Sequence, residues 1–235
     1  MSRSTHSRPD VLLVVGDDQG EVFTEANMPA FCLFTCAEVH GSLNIGLIGE
    51  PEEENHVTLG CHSDLALHLL KELNRRGFDV SESKELKPLG RPKRGIGHAF
   101  TRPVVKVTPA LNVPIIPFHV NAYFPPMPSA RTCYELGRSI ARVLKDRPEK
   151  VAIMASGGLS HDPRGPRAGW IDTPLDRWVL EQLRGGPAKH CVICSSSIQT
   201  RSEVEPAKSG VGSLSPAHAA KHALPLSIIS RLIMP

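Results

Sequence analysis

The sequence predicts an α/β fold, a single-domain α/β/α sandwich with a mixed central sheet. Apolar runs of the length of buried strands occur at residues 10–15, 113–120 and 151–155. Segments with helical periodicity occur at 63–76, 130–144 and 174–183. Because strand-like and helix-like segments alternate, they are expected to pack as layers around one core. The 235 residues are enough for one large domain of this kind.

The predicted elements carry local signals at their ends. Ser63-Asp64 is a plausible N-cap for the helix at 63–76, and Gly77 follows its last turn. The helix at 174–183 begins with a proline, which favours a first helical position. Pro114 and Pro117 favour an edge or irregular position for the strand at 113–120, because proline cannot donate to a ladder.

Composition and charge exclude several classes of protein. The net charge of +3 is too small to indicate a nucleic-acid partner, and Arg91–Arg94 is interpreted as a solvated loop. No apolar run reaches membrane-spanning length, so no membrane association is expected. The first residues lack the apolar core of a signal peptide, and the protein is predicted to be cytoplasmic.

The chain is divided at about residue 190. Residues 1–190 are predicted to form the α/β domain, and residues 191–235 a divergent, partly disordered C-terminal segment of the same domain. The six cysteines are not expected to form a disulfide framework in a reducing compartment. Cys191 and Cys194 have the spacing of half a zinc site, with two apolar residues on a late strand as the alternative.

Three polar segments are candidates for chemistry. Asp17–Glu21 follows the first strand, Gly95–Phe100 is a glycine-rich turn with His98, and Ser156–Asp162 follows the strand at 151–155. The last segment carries His161 just after two glycines, which allow a tight turn. Ligand sites of α/β sheets lie outside the carboxyl ends of strands, and histidine exchanges protons near neutral pH.

Taken in order, these segments resemble the class III extradiol ring-cleavage dioxygenases, the family of the protocatechuate 4,5-dioxygenase catalytic (beta) subunit. The resemblance covers most of residues 9–185, and the segment around His161 is its most specific part. The motifs that carry it are Asp10–Gln19, Met28–Cys32, Gly97–Phe100, Val113–Asn121, Ser156–Asp162 and Gly165–Gly169.

The resemblance implies a reaction. Enzymes of this family use non-haem Fe(II), held by two histidines and a carboxylate, to open a catechol ring next to the diol with O₂. His161 matches the family's base for the catechol proton, and His98 matches a second pocket histidine that acts as acid or base. The expected partners are therefore a small catecholic substrate and O₂, with a homodimer or a small partner subunit implied by the family.

The implied iron ligands are less well matched. The family's N-terminal metal histidine is expected to be absent, since His6 lies too close to the first strand. Gln19 stands where the second metal histidine falls, and Asp17, Asp18 or Glu21 is a possible substitute. Glu203, in Ser202-Glu203-Val204, resembles the metal carboxylate near the C-terminus, although the helix expected after it is interrupted.

Two alternatives stay open at this point. The substitution at Gln19 and the missing N-terminal histidine are compatible with a non-catalytic member of the same fold that acts as a binding or partner subunit. A metal-dependent hydrolase that uses Asp17, Asp18 and His161 would need only water activation.

Overall fold

The computed structural model describes residues 8–44, 55–157, 159 and 170–185. Its elements follow the chain in the order β1 (Val11–Gly16), β2 (Phe31–Phe34), β3 (Glu38–Ser42), β4 (His56–Gly60), α1 (Ser63–Arg75), β5 (Ser81–Ser83), α2 (His98–Val107), β6 (Ile115–Val120), α3 (Ala130–Leu144), β7 (Val151–Ala155) and α4 (Thr173–Gly185). The C-terminal segment predicted at 191–235 lies outside the described residues. No helix within the described ranges is long and apolar enough to cross a membrane.

The main sheet is mixed, as predicted. Its strand order is β5-β2-β6-β1-β7. Strand β1 is parallel to both β6 and β7, whereas β2 is antiparallel to β6 and parallel to β5. The carboxyl ends of β1, β6 and β7 therefore lie at the same end of the sheet, and the predicted polar segments begin there after β1 and β7.

The side chains of β1 alternate between two apolar clusters, one on each face of the sheet. Val11, Leu13 and Val15 pack with α1 and α3. Leu12 and Val14 pack on the other face with α2 and with a β-hairpin formed by β3 and β4. The predicted α/β class is confirmed. The hairpin, which the sequence did not predict, shares the second face with α2.

The predicted edge position of the strand at 113–120 is wrong. Strand β6 lies between β1 and β2 and is fully buried. The ladder with β2 extends only over Phe118–Val120, so Pro117 lies beyond its last pair. The missing N–H of a proline is tolerated where a ladder ends.

Helices α1, α3 and α4 agree with the predicted segments apart from one cap, whereas α2 was not predicted. Helix α3 spans the predicted residues, and Oγ of Ser129 caps it by accepting from the Thr132 N–H. The N-cap of α1 is His62 rather than Ser63-Asp64: its side chain accepts from the Leu65 N–H, and Ser63 begins the helix. Histidine is an uncommon cap, which explains why local sequence favoured the serine next to it.

Candidate active site

The loop after β1 is organised by Asp18. Its Oδ1 accepts from the backbone N–H groups of Glu21 and Val22, at 2.9 and 3.1 Å, and its Oδ2 accepts from that of Phe23 at 2.7 Å. The Asp18 side chain therefore accepts hydrogen bonds from three backbone N–H groups of a loop that is not part of a sheet. This turn brings Glu21 back beneath the end of β1, where its side chain is 1% exposed.

Glu21 and His98 form the central contact of the site. Nδ1 of His98 lies 2.8 Å from Oε1 of Glu21, and the backbone N–H of Gln19 donates to Oε2 at 2.7 Å. Helix α2 begins at His98 after Gly97. Because a helix N-terminus carries partial positive charge, it stabilises a carboxylate placed beside it. The His98 side chain is 27% exposed, so the ring reaches from the buried carboxylate to the surface.

The segment before α2 is held by the β3–β4 hairpin. The N–H of Ile96 donates to the carbonyl of His40 at 2.8 Å, and that of Ser42 donates to the carbonyl of Arg94 at 2.9 Å. Oγ1 of Thr101, in the first turn of α2, donates to the Ser42 carbonyl at 3.0 Å. These bonds fix the start of the helix and therefore the position of the His98 ring.

The interpretation of Arg91–Arg94 as a solvated loop is wrong for its last residue. The Arg94 side chain is 2% exposed, lies 3.9 Å from Oε1 of Glu21 and donates to the Asn44 carbonyl at 2.7 Å. The backbone N–H of Arg91 donates to the Glu21 carbonyl at 2.8 Å, so this segment covers the loop after β1. A buried guanidinium at this distance stabilises a charged Glu21.

The electrostatics of the site keep Glu21 ionised. Burial by itself would raise the pKa of Glu21, but hydrogen bonds with His98 and Asp18 lower it to about 2. Burial and the neighbouring Glu21 carboxylate raise the pKa of Asp18, and the N–H groups of Phe23 and Val22 oppose that rise. Burial also raises the pKa of Asp17, although His98 partly offsets it. The negative charge of the loop is therefore concentrated on Glu21.

The described residues do not by themselves supply an iron site. In residues 8–44, 55–157, 159 and 170–185, no three His, Cys, Asp or Glu side chains converge as metal ligands. Gln19 is half-buried, and its Nε2 is 3.5 Å from Oδ2 of Asp17, the limit of a hydrogen bond. Both oxygens of Asp18 accept backbone N–H groups. The metal assignments of Gln19 and Asp18 remain predictions.

Two of the predicted site residues are not among the described residues. His161 and Glu203, together with His6, lie outside the described residues. Strand β7 nevertheless ends at Ala155 beside β1, and the N–H of Ser156 donates to the Val15 carbonyl at 2.7 Å. The segment that leads to His161 thus leaves the sheet at the same end as the loop of Gln19.

Sequence reasoning gave Glu21 only as one possible metal ligand and missed its contact with His98. It also missed His119, a 1% exposed residue at the end of β6. Nε2 of His119 donates to the Pro29 carbonyl at 3.2 Å, and within the described chain Nδ1 has no hydrogen-bond partner. Burial lowers the pKa of His119 to about 4, so the ring is neutral. In the sequence, His119 could have been recognised only as a histidine within an otherwise apolar strand.

The structure is thus an α/β protein with a mixed sheet, and a partly buried histidine–carboxylate pair lies at the carboxyl end of β1. Residues 2–207 match the family model of the catalytic LigB subunit of aromatic ring-opening dioxygenase. The chain therefore belongs to this family, which confirms the resemblance to class III extradiol dioxygenases.

Relatives within the family are ring-cleaving dioxygenases. A gallate dioxygenase of Pseudomonas putida is 34% identical over 136 residues, which are 56% of this chain and 38% of the relative. A 2,3-dihydroxyphenylpropionate/2,3-dihydroxicinnamic acid 1,2-dioxygenase of Photorhabdus laumondii is 28% identical over 173 residues, 73% of this chain and 49% of the relative. The chain thus matches half or less of the length of these two relatives.

A solved structure shows the same fold. An uncharacterized protein from Escherichia coli K12 is similar with a TM-score of 0.54 and 16% identity, over 96% of this chain and 76% of that one. At this identity the likeness extends to the fold alone.

Proposed function

We propose that this chain takes part in non-haem Fe(II)-dependent extradiol cleavage of a catechol-type ring with O₂, with His161 as the base and His98 as the pocket acid or base. Membership of the ring-opening dioxygenase family supports the reaction class. The observation that carries the proposal is the buried Glu21 carboxylate, which holds Nδ1 of His98 at 2.8 Å.

His98 is arranged to transfer a proton at its other ring nitrogen. When Glu21 is ionised it accepts from Nδ1–H, and Nε2 of the neutral ring is then the atom that accepts a proton. The ring is partly exposed while the carboxylate is buried, so Glu21 fixes the ring without competing for a substrate. This is the arrangement by which a carboxylate orients a catalytic histidine.

The proposed roles of the other groups rest on family membership. Fe(II), if held here, would supply the Lewis-acid centre for catechol and O₂, and His161 would take the proton of the catechol hydroxyl. Gln19, Asp18 and Glu203 are the proposed protein ligands, of which Gln19 is a weak ligand because its carbonyl is neutral. The names of the relatives suggest gallate and 2,3-dihydroxyphenylpropionate as the first substrates to test.

The test is oxygen uptake by the full chain. The protein is supplied with Fe(II) anaerobically, iron content is measured after desalting, and O₂ consumption is followed with gallate, protocatechuate, catechol and 2,3-dihydroxyphenylpropionate. Stoichiometric iron and one O₂ consumed per ring would support the proposal. His68→Ala is the control, because His68 lies on α1, across the sheet from α2.

A second candidate function is a non-catalytic binding or partner subunit of the same fold. Two features support this candidate: the resemblance places Gln19 where the family has a metal histidine, and both Asp18 oxygens accept backbone N–H groups. It predicts catechol binding that calorimetry finds unchanged by Fe(II), with no O₂ uptake. Iron-dependent uptake that His98→Ala abolishes would reject this candidate.

A further inference from the structure

Two cysteines from separate segments meet at the end of the sheet opposite the candidate active site. Cys36 follows β2, and Cys61 follows β4 and pairs with Ile115, the first residue of β6. Beyond the last hairpin pair, the N–H of Cys61 donates to the Ala37 carbonyl at 2.8 Å. Oγ of Ser63 donates to the carbonyl of Cys36, also at 2.8 Å. The two segments therefore remain side by side past the hairpin.

The side chains of the two cysteines interact. The Cys61 thiol lies within hydrogen-bonding reach of the Cys36 sulfur, and it also lies 3.8 Å from the Leu59 carbonyl. Both side chains pack with the apolar cluster on the α2 face. The hairpin register, continued by the bond from the Cys61 N–H to the Ala37 carbonyl, places Ala37 opposite Cys61 and Cys36 one residue away. Because paired strands lie about 4.8 Å apart and rise about 3.3 Å per residue, this offset corresponds to a Cα separation of about 6 Å. A disulfide spans Cα separations of about 4.4–6.8 Å, so the two cysteines are within reach of one.

The environment makes the two thiols unequal. The hydrogen bond from Cys61 lowers the pKa of Cys36, and the same contact together with burial raises that of Cys61. By contrast, burial raises the pKa of both Cys32 and Cys133 to about 12. A thiol of lowered pKa beside a second thiol is the arrangement found in cysteines that oxidise reversibly, whereas buried cysteines without such a partner are inert.

We propose that Cys36 and Cys61 are a redox modification site that forms a reversible disulfide with a hydroperoxide as the oxidant. The Cys36 thiolate attacks one oxygen of hydrogen peroxide and breaks the O–O bond, giving a sulfenic acid and hydroxide, which takes a proton from solvent. The Cys61 sulfur then attacks the sulfenic sulfur, so that the S–S bond forms and the S–O bond breaks. The hydroxyl group leaves as water with the Cys61 proton, and a thiol reductant reverses the reaction.

The experiment is cross-link mapping of the native full chain. The protein is treated with hydrogen peroxide, free thiols are alkylated, and the chain is digested after glutamate without reduction. Cleavage after Glu25, Glu38, Glu54 and Glu72 separates peptides 26–38 and 55–72. We expect these peptides to appear joined, with a mass two hydrogens below their sum, and to separate when a reductant is added.

Matched variants identify the sulfur that reacts, because peptide 26–38 contains Cys32 as well as Cys36. Cys32→Ser is expected to retain the cross-link and Cys36→Ser to lose it. Cys61→Ser is expected to stop at a sulfenic acid on Cys36, which dimedone traps. Circular dichroism of each variant checks the fold.

Three results would overturn the proposal. In the first, peptides 26–38 and 55–72 stay separate after peroxide treatment, and both Cys36 and Cys61 are found alkylated. In the second, the cross-link is still formed in Cys36→Ser. The third is oxidation confined to Cys191 and Cys194. None of these measurements depends on iron or on ring cleavage, so their outcome is independent of the proposed function.

Discussion

Nδ1 of His98 lies 2.8 Å from Oε1 of Glu21, across 77 positions of the chain. The carboxylate belongs to the loop after β1, the ring opens α2, and the hairpin bonds to the segment between Arg94 and Thr101 keep them together. The site is therefore assembled from three parts of the fold rather than from one motif.

The first prediction concerns His98 itself. His98→Ala should lower the turnover number for ring cleavage by at least about 100-fold, because positioned acid–base groups contribute about 10²–10⁴-fold. The free energy of unfolding should fall by about 1–3 kcal/mol, because the buried Glu21 carboxylate loses one hydrogen bond while Arg94 and the Gln19 N–H remain beside it. Steady-state O₂ uptake and urea unfolding measure the two effects. His68→Ala should alter neither, and a His98 variant that unfolds would assign the ring a structural role.

The second prediction separates orientation from folding. Glu21→Gln keeps the shape of the side chain but loses its charge, so the His98 ring loses its fixed Nδ1–H tautomer. We expect the turnover number to fall by at least about tenfold, as orienting carboxylates contribute strongly to histidine catalysis. Nitrogen NMR of the imidazole should show a mixture of tautomers in the variant. An unchanged ring spectrum would show that Glu21 does not orient His98.

The third prediction concerns the buried charge of the same carboxylate. Glu21→Ala removes the acceptor of His98 and the carboxylate 3.9 Å from the buried Arg94 guanidinium. Removing one member of a buried ion pair costs about 3–5 kcal/mol, so a loss of about 3 kcal/mol in unfolding free energy is expected. Denaturant unfolding measures it. Glu85→Ala, which removes a carboxylate that is 64% exposed, should cost less than about 0.5 kcal/mol.

The α/β class and the position of most elements could be predicted because periodicity and end signals are local properties. Helix α3 has a strong apolar face and a serine cap, and its bounds were predicted correctly. The order of strands is set by long-range packing, and for that reason Pro114 and Pro117 misled the prediction for β6. The β3–β4 hairpin was missed because each strand has only five residues and one or two apolar side chains, too few for periodicity to identify a strand.

The candidate site was predictable only in part. His98 and the loop of Gln19 were identified by their positions after strands and in a glycine-rich turn, and the structure brings both to the same end of the sheet. The carboxylate partner could not be identified, because nothing local distinguishes Glu21 from the two aspartates before it. Arg94 was assigned to solvent for the same reason: its burial depends on the hairpin that covers it.

The fourth prediction is a pH dependence that originates at His119. Its pKa is about 4 in the folded protein against 6.5 as the ordinary value, so only the unfolded chain binds the proton between these pH values. His119 should therefore contribute a loss of about 3 kcal/mol as the pH decreases from above 6.5 to 4. Asp17 and Asp18, whose pKa values are raised, act in the opposite sense, so the contribution of His119 is the difference between the protein and its His119 variant. Urea unfolding at pH 7, 5.5 and 4 measures the change. His119→Gln, which retains a donor for the Pro29 carbonyl, should show a smaller decrease, whereas His68→Gln should show the full decrease.

The fifth prediction tests the backbone that positions His98. Gly95 has φ of +74°, and a Cβ there would lie 2.1 Å from the His40 carbonyl oxygen, whose hydrogen bond to Ile96 holds this segment. Gly77 has a similar φ of +85°, but a Cβ there meets nothing within 4 Å. Gly77→Ala should therefore cost only the left-handed strain, about 1–2 kcal/mol. Gly95→Ala adds a clash between backbones and should cost at least about 3 kcal/mol in urea unfolding. Equal losses in the two variants would show that the contact with His40 does not constrain the start of α2.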